Sequence, residues 1–366
     1  MIGGQVPSEG RESMGEQGGT GVRTRTDGRE RPLCAEYDTA LLDLDGVVYA
    51  GGEAIEHAVE ALETARDGGM RLAYVTNNAS RTPLDVAALL TRLGVPAEAA
   101  EVITSAQAVA RLISEQVPAG SRVLAVGGEG LRVALRERGL EPVESAEDGP
   151  AAVVQGYDPK LGWEQLAEAA YAVGRGVPWF ASNTDLTIPT GRGRAPGNGA
   201  LVEVVRIAAG GRPQVAGKPL PPMHRETILR TGARRPLVVG DRLDTDIEGA
   251  HAGGVDSLLV LTGVTDAAQL LAAPPHHRPA YVAADLRGLL TGHPETEAAV
   301  PGGAGPEGHR CGGWTARVVR GELLLEGGGD PLDGLRASCA AVWTVAGGGA
   351  GEGVETAKAL ARLGLG

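Results

Sequence analysis

Residues 40–47 read Ala40-Leu41-Leu42-Asp43-Leu44-Asp45-Gly46-Val47, and the fold turns on them. The apolar start is a short buried strand, and two acids stand at its carboxyl end. Residues i and i+2 of a strand point the same way, so Asp43 and Asp45 face one crevice. In an open parallel sheet that crevice is where ligands bind. Like charges so close repel, and unless one is protonated they need a cation. The oxygens of such a loop suit Mg2+, which prefers octahedral oxygen ligation. Taken alone, the pair also fits a solvated loop, because acids after strands are common.

The pattern extends in both directions. Ile55, Ala58, Val59 and Leu62 recur at helical spacing within 53–68, and Gly68-Gly69 ends that helix. Residues 71–76 form a second buried strand with Asn77-Asn78 in its exit loop, and a helix follows at 83–93. Strand, helix, strand, helix predicts a parallel sheet with helices on its faces. The pattern then restarts, with strands at 122–126, 151–155 and 179–181 and helices at 129–138 and 163–173. Helices at 222–231 and 246–252 and strands at 237–240 and 257–261 resume the first sheet. The expected fold is α/β: a Rossmann-like parallel-sheet core, 37–105 and 214–290, with an inserted α/β cap at 106–213. Residues 1–36 read as a disordered leader and 291–309 as a Gly- and Pro-rich linker. Residues 310–366 read as a small α+β appendage of two strands and one or two helices.

Val239-Gly240-Asp241 again sets an acid directly after a buried strand. Asp241 would complete a metal site with Asp43 and the Asp45 main-chain carbonyl. Asp246, at the start of the next helix, reads as its cap and as a group that orients the site from behind. Asp244 reads as solvated loop. Thr76, Asn77 and Asn78 offer a hydroxyl and N–H groups to phosphoryl oxygens, although Asn-Asn is also ordinary turn chemistry. Lys218, in Gly217-Lys218-Pro219, is held extended by the proline. The chain carries 34 Lys and Arg, and only Lys160, Lys218 and Lys358 are lysines, so each is conspicuous. Together these residues make a phosphoryl-transfer apparatus. Asp43 attacks phosphorus, and Asp45 serves as acid and then as base. Mg2+, Lys218 and the Thr76 loop offset the developing charge.

The order DxDGV, VTNN, GKP, GDRLDTD resembles the haloacid dehalogenase-like hydrolases. The phrases DLDGVVYAGG, VTNNASRTP and GDRLDTDIEGAHAGG resemble the 4-nitrophenylphosphatase or NagD-like subgroup, which carries a large α/β cap. The likeness covers about 37–290. It implies Asp43 as nucleophile, Asp45 as acid/base, Thr76 and Lys218 as phosphate ligands, and Asp241 as a Mg2+ ligand. Ser182-Asn183-Thr184-Asp185 resembles the cap loop that approaches substrate in this subgroup, with Asn183 as the candidate contact. The C-terminal segment weakly resembles an acetyltransferase-like fragment found on actinobacterial phosphatases. It is too short for a complete acetyltransferase, and Gly347–Gly351 lacks that family's Arg-led pyrophosphate loop. A packing or dimerisation role is expected of it, so a homodimer stays open. By the same analogy glycerol 3-phosphate is the first candidate substrate. Pyridoxal phosphate, phosphoglycolate and nucleoside monophosphates are alternatives.

Composition narrows the field. A formal charge of −12 argues against sequence-independent nucleic-acid binding. No apolar run approaches the roughly 18 residues of a membrane span, and the N-terminus lacks the apolar stretch of a secretory signal. Cys34, Cys311 and Cys339 are few and far apart, which predicts a reduced, cytoplasmic protein. Gly127-Gly128-Glu129-Gly130 lacks the spacing of a dinucleotide loop. His57, His224, His251 and the His276-His277 pair show no paired ligand spacing and are assigned structural or surface roles. A signalling receiver domain would place its acid pair before a lone phosphorylated Asp, with Thr and Lys after it. An inactive phospholigand-binding or scaffold protein could dispense with Asp45, which is present here.

Overall fold

The computed structural model describes residues 31–190, 192–299, 308–347 and 349–366. Six parallel strands form the main sheet, in the spatial order Tyr281–Ala283, Asp256–Val260, Pro236–Gly240, Thr39–Leu42, Arg71–Thr76, Val102–Thr104. The strand carrying Asp43 at its exit is central, between the strands that lead to Thr76 and Asp241. The three motif loops therefore open on one end of the sheet. Alternate residues of each strand divide between two cores, as a period of two requires. Ala40, Leu42, Leu72, Tyr74, Leu237 and Val239 pack with helix Ala58–Asp67 on one face. Leu41, Ala73, Val75 and Ile103 pack with helix Ser105–Ser114 on the other.

A second parallel sheet runs Gln214–Val215, Trp179–Ala181, Ala152–Gln155, Arg122–Val126, Glu141–Val143. It is a second α/β layer whose edge strand, Gln214–Val215, lies past residue 213, where the inserted unit was expected to end, and it adds an antiparallel hairpin, Thr187–Thr190 with Gly193–Pro196. Its Val123, Ala125, Val154 and Phe180 belong to the same apolar cluster as Val75 and Ile103. Helix Ser105–Ser114 thus binds the two sheets through a shared core. The sequence reading left that helix out. Its first turn carries a capping box in which Thr104 and Gln107 satisfy each other's backbone N–H groups.

The C-terminal unit is a four-stranded antiparallel sheet, Glu297–Ala299, Gly308–Cys311, Trp314–Val319, Glu322–Gly327, covered by helix Pro331–Ala346. Alternation buries Trp314, Ala316 and Val318 on one face. That face joins Leu335, Val342 and Trp343 of the helix and Ile247, Leu259, Leu271 and Val282 of the main domain in one apolar cluster. The stretch read as a linker therefore contributes an edge strand, because its Glu297–Ala299 segment pairs with Gly308–Cys311. The leader expected at 1–36 lies outside the described residues up to 30. Its last residues form a helical turn, Leu33–Glu36, with Leu33 buried. The helix expected from 53 begins only at Ala58, after a short hairpin that pairs Tyr49–Ala50 with Glu53–Ala54. Among the described residues no helix is long and apolar enough to cross a membrane.

Candidate active site

Lys218 is the hub of the site. It leaves a short strand of the second sheet just before helix Pro221–Thr231, and its chain enters the crevice above Asp43. Its ammonium group donates to Asp43 Oδ1 at 2.5 Å, to Asp246 Oδ1 at 2.7 Å and to the Val75 carbonyl at 3.2 Å. All three of its protons are placed. Burial alone would lower the lysine pKa, but Asp246 and Asp43 outweigh it and the shift is upward.

Asp241 lies in the same cluster, and carboxylate oxygens of Asp43, Asp241 and Asp246 fall within 4.8 Å of one another. One ammonium cannot balance three carboxylates. Burial together with Asp43 and Asp246 pushes Asp241 up to about 7. Burial pushes Asp246 up to about 6, with Lys218 pulling against it and Asp43 adding to it. Burial also raises Asp43, although Lys218 opposes it. Asp241 Oδ2 accepts the Val264 N–H at 2.7 Å, whereas its buried Oδ1 has no partner. Gly46 and Gly263 press on this carboxylate so closely that a Cβ on either would stand 2.6 or 1.9 Å from Oδ2. The backbone thus fixes one oxygen and leaves the other free among carboxylates. This all-oxygen, electron-rich set fits a hard divalent cation.

Asp45 is exposed at the crevice mouth, yet the surrounding protein mass desolvates its carboxyl and raises it, with Tyr49, Arg81 and Lys218 opposing. The Tyr49 hydroxyl donates to it at 3.4 Å. Asp246 is not a helix cap. It falls within a wide turn, Leu243–Ile247, which directs its carboxylate inward to Lys218 and to the Arg242 N–H at 3.2 Å. Asp244 instead pairs with Arg242 at the surface.

Thr76 Oγ1 accepts the Asn78 N–H at 3.0 Å, which leaves its own proton to donate. Asn78 Oδ1 is taken up by the Ser80 N–H and hydroxyl, both at 2.8 Å. Asn77 ties the two sheets together. Its Oδ1 accepts the Lys218 N–H, its Nδ2 donates to Asp185 and to the Lys218 carbonyl, and its carbonyl accepts from Ser105 and Asn183. Asn183 is buried and also accepts the Asp185 N–H, so both ends of its amide are engaged within the loops. Asp185 and Arg81 were missed by sequence reasoning. The Ser-Asn-Thr-Asp loop carried the signal for Asp185, since an acid two residues beyond a strand-end Asn shares its setting. Arg81 lies within the VTNNASRTP phrase, which carried the family likeness but gave that arginine no role.

The chain is similar to known proteins in both sequence and fold. Residues 40–141 match the haloacid dehalogenase-like hydrolase profile, and 215–289 match a second profile of the same hydrolase type. Residues 311–365 match a GCN5-related N-acetyltransferase-like domain. A D-glycerol 3-phosphate phosphatase of Mycobacterium tuberculosis is 45% identical over 86% of this chain and 88% of its own length. A 5'-nucleotidase of Bacillus subtilis is 38% identical over 63% of this chain and 89% of its own. Among solved structures, a glycerol phosphate phosphatase of M. tuberculosis in complex with magnesium aligns with a TM-score of 0.80 and 41% identity, covering 92% of this chain and all of its own.

Proposed function

The chain belongs to the haloacid dehalogenase-like hydrolases and is a phosphoric monoester hydrolase, and on that premise we propose that it hydrolyses glycerol 3-phosphate through an aspartyl phosphate at Asp43. One observation carries the substrate assignment. The likeness to the glycerol 3-phosphate phosphatase spans 86% of the chain, whereas the likeness to the 5'-nucleotidase covers 63%.

Asp43 attacks phosphorus in line as the bond to the glycerol oxygen breaks. Asp45, whose carboxyl the crevice raises, gives that oxygen its proton. Asp45 then takes a proton from water as the water oxygen attacks phosphorus. The bond from Asp43 to phosphorus breaks, releasing inorganic phosphate and restoring both carboxyl groups. Lys218 offsets phosphoryl charge, and Asp246 holds it in place. Thr76 donates its hydroxyl proton to a phosphoryl oxygen, and Asn77 and Asn78 frame that loop. Asp43, the Asp45 carbonyl and Asp241 would hold Mg2+. The cation supplies positive charge against the phosphoryl oxygens and relieves the repulsion among these acids. Asn183 supports the loops that close over the substrate.

The test is phosphate release from glycerol 3-phosphate, nucleoside 5'-monophosphates, pyridoxal phosphate and phosphoglycolate, with Mg2+ or chelator. The expected result is Mg2+-dependent turnover, highest kcat/KM on glycerol 3-phosphate, and none from Asp43→Asn. Preference for a nucleoside monophosphate would replace the substrate assignment and keep the reaction.

A further inference from the structure

We propose that Glu248, His276 and His277 form a second metal site, separate from the acidic crevice and selective for Zn2+ or a cation of similar preference. A carboxylate oxygen of Glu248 and one ring nitrogen from each histidine lie within 4.8 Å of one another. His277 Nε2 is 2.9 Å from Glu248 Oε2, and the two imidazole rings lie 4.3 Å apart with their planes at 64°. Adjacent histidines in sequence carry no ligand spacing of their own. The third donor, Glu248, lies 29 residues upstream of His277, and only the fold supplies it.

Both arms of the site are held by backbone. Glu248 opens helix Glu248–Gly253. His276 and His277 end a tight turn, Pro275–His277, that Pro274 precedes. Two consecutive prolines restrict the backbone there, which limits the orientations open to both rings. Glu248 and His277 are half-buried, whereas His276 is exposed, so solvent reaches the site on one side. Zn2+ bonds of about 2.0–2.1 Å place tetrahedral donors about 3.4 Å apart, a spacing between the 2.9 Å of the Glu248–His277 contact and the 4.8 Å within which all three donors fall.

Donor chemistry separates this site from the first. Asp43, Asp241 and Asp246 offer only oxygen, which suits Mg2+. Two imidazoles and one carboxylate suit Zn2+, with a fourth position left to water. Occupancy would clamp the 275–277 turn to the start of the helix that follows the Leu243–Ile247 turn.

The experiment uses full-length, chelator-stripped protein in excess Mg2+, titrated with Zn2+ and assayed for bound metal after gel filtration. Wild type and Asp241→Asn are expected to bind one equivalent. His276→Ala and His277→Ala are expected to bind at least tenfold more weakly, with the melting temperature of His276→Ala unchanged in chelator. Wild type should also melt at a higher temperature with Zn2+ than without. His276 is exposed, so its variant tests the site even if His277→Ala folds poorly. Equal binding by wild type and His276→Ala, no binding by wild type, or loss of binding only in Asp241→Asn overturns the proposal.

Discussion

Lys218 and Glu226 each sit at the centre of a buried ionic cluster, one at the mouth of helix Pro221–Thr231 and the other within it. Around Lys218 stand Asp43, Asp246 and, beside them, Asp241. Around Glu226 stand Arg111, Arg138 and Arg230. The charges are reversed, and so is the electrostatic outcome. Burial would raise Glu226, but its hydrogen bonds to Arg111 and Arg230 and the surrounding guanidinium charge hold it below its ordinary value. Asp241 and Asp246 are pushed up instead. A carboxylate with three cations that also reach solvent is electrostatically closed. A lysine shared among three carboxylates leaves that cluster with net negative charge from its own side chains, which suits an added cation, and in that sense it is open. Strain of this kind at a functional site, absent from a structural one, is a common form of stability–activity conflict.

Asp43→Asn breaks the comparison most sharply. Under the proposed mechanism turnover falls at least about 10,000-fold, because the amide is a poor nucleophile. Glu226→Gln should leave kcat/KM within about threefold while folding stability falls by about 3–5 kcal/mol, the cost of stripping one partner from a buried ionic cluster. Steady-state kinetics beside denaturant unfolding separates the two. A large loss of turnover in well-folded Glu226→Gln would show that both clusters serve catalysis.

Asp241→Asn tests the open cluster from the other side. It removes one of the charges that repel Asp43 and Asp246, so the metal-free protein should melt higher than wild type. Turnover should drop by about 100-fold or more, and the rise in melting temperature on adding Mg2+ should shrink. A lower melting temperature without metal would mean that Asp241 stabilises the fold through its Val264 contact more than its charge strains it.

Acid titration sharpens the contrast. Glu226 has a folded pKa below its ordinary value of 4.5. Its stabilising contribution is therefore present above that value and is lost as pH falls through the folded pKa. Unfolding free energy of wild type should decline more steeply below about pH 4.5 than that of Glu226→Gln. Parallel curves would place the acid sensitivity elsewhere.

The open cluster was far more legible in the sequence than the closed one. Asp43, Asp45 and Asp241 follow apolar strands, where a period of two and a parallel sheet aim side chains at one crevice. Lys218 stood out through the rarity of lysine. Asp246 was legible as a residue placed behind the site, but not free of the cap reading, because the wide turn at Leu243–Ile247 rotates it inward where an ordinary helix start would have made it a cap. Glu226 left no mark. Its partners come from helix Ser105–Ser114, from the end of helix Glu129–Glu137 and from its own helix, and no local pattern joins them. The second metal site is hidden for the same reason, since Glu248 meets His277 only through tertiary packing.

The smallest effect concerns the bridge between these regions. Asn77 receives the Lys218 N–H and donates to Asp185, so it couples the lysine loop to the second sheet's loop. Asn77→Ala removes these side-chain bonds, while the carbonyl contacts from Ser105 and Asn183 survive. The expected stability cost is about 1–2 kcal/mol, within the range for losing buried hydrogen bonds. Kinetics should move more than stability. Lys218 would keep its ionic partners, but its backbone would lose the strut that sets the height of the ammonium group above Asp43. A fall in kcat of about tenfold with nearly constant KM is the signature of such positioning, because the lysine then meets the transferring phosphoryl group less well than the bound substrate. A change confined to KM would place Asn77 in substrate binding instead. An unchanged kcat and KM would mean that Asp43 and Asp246 alone position Lys218.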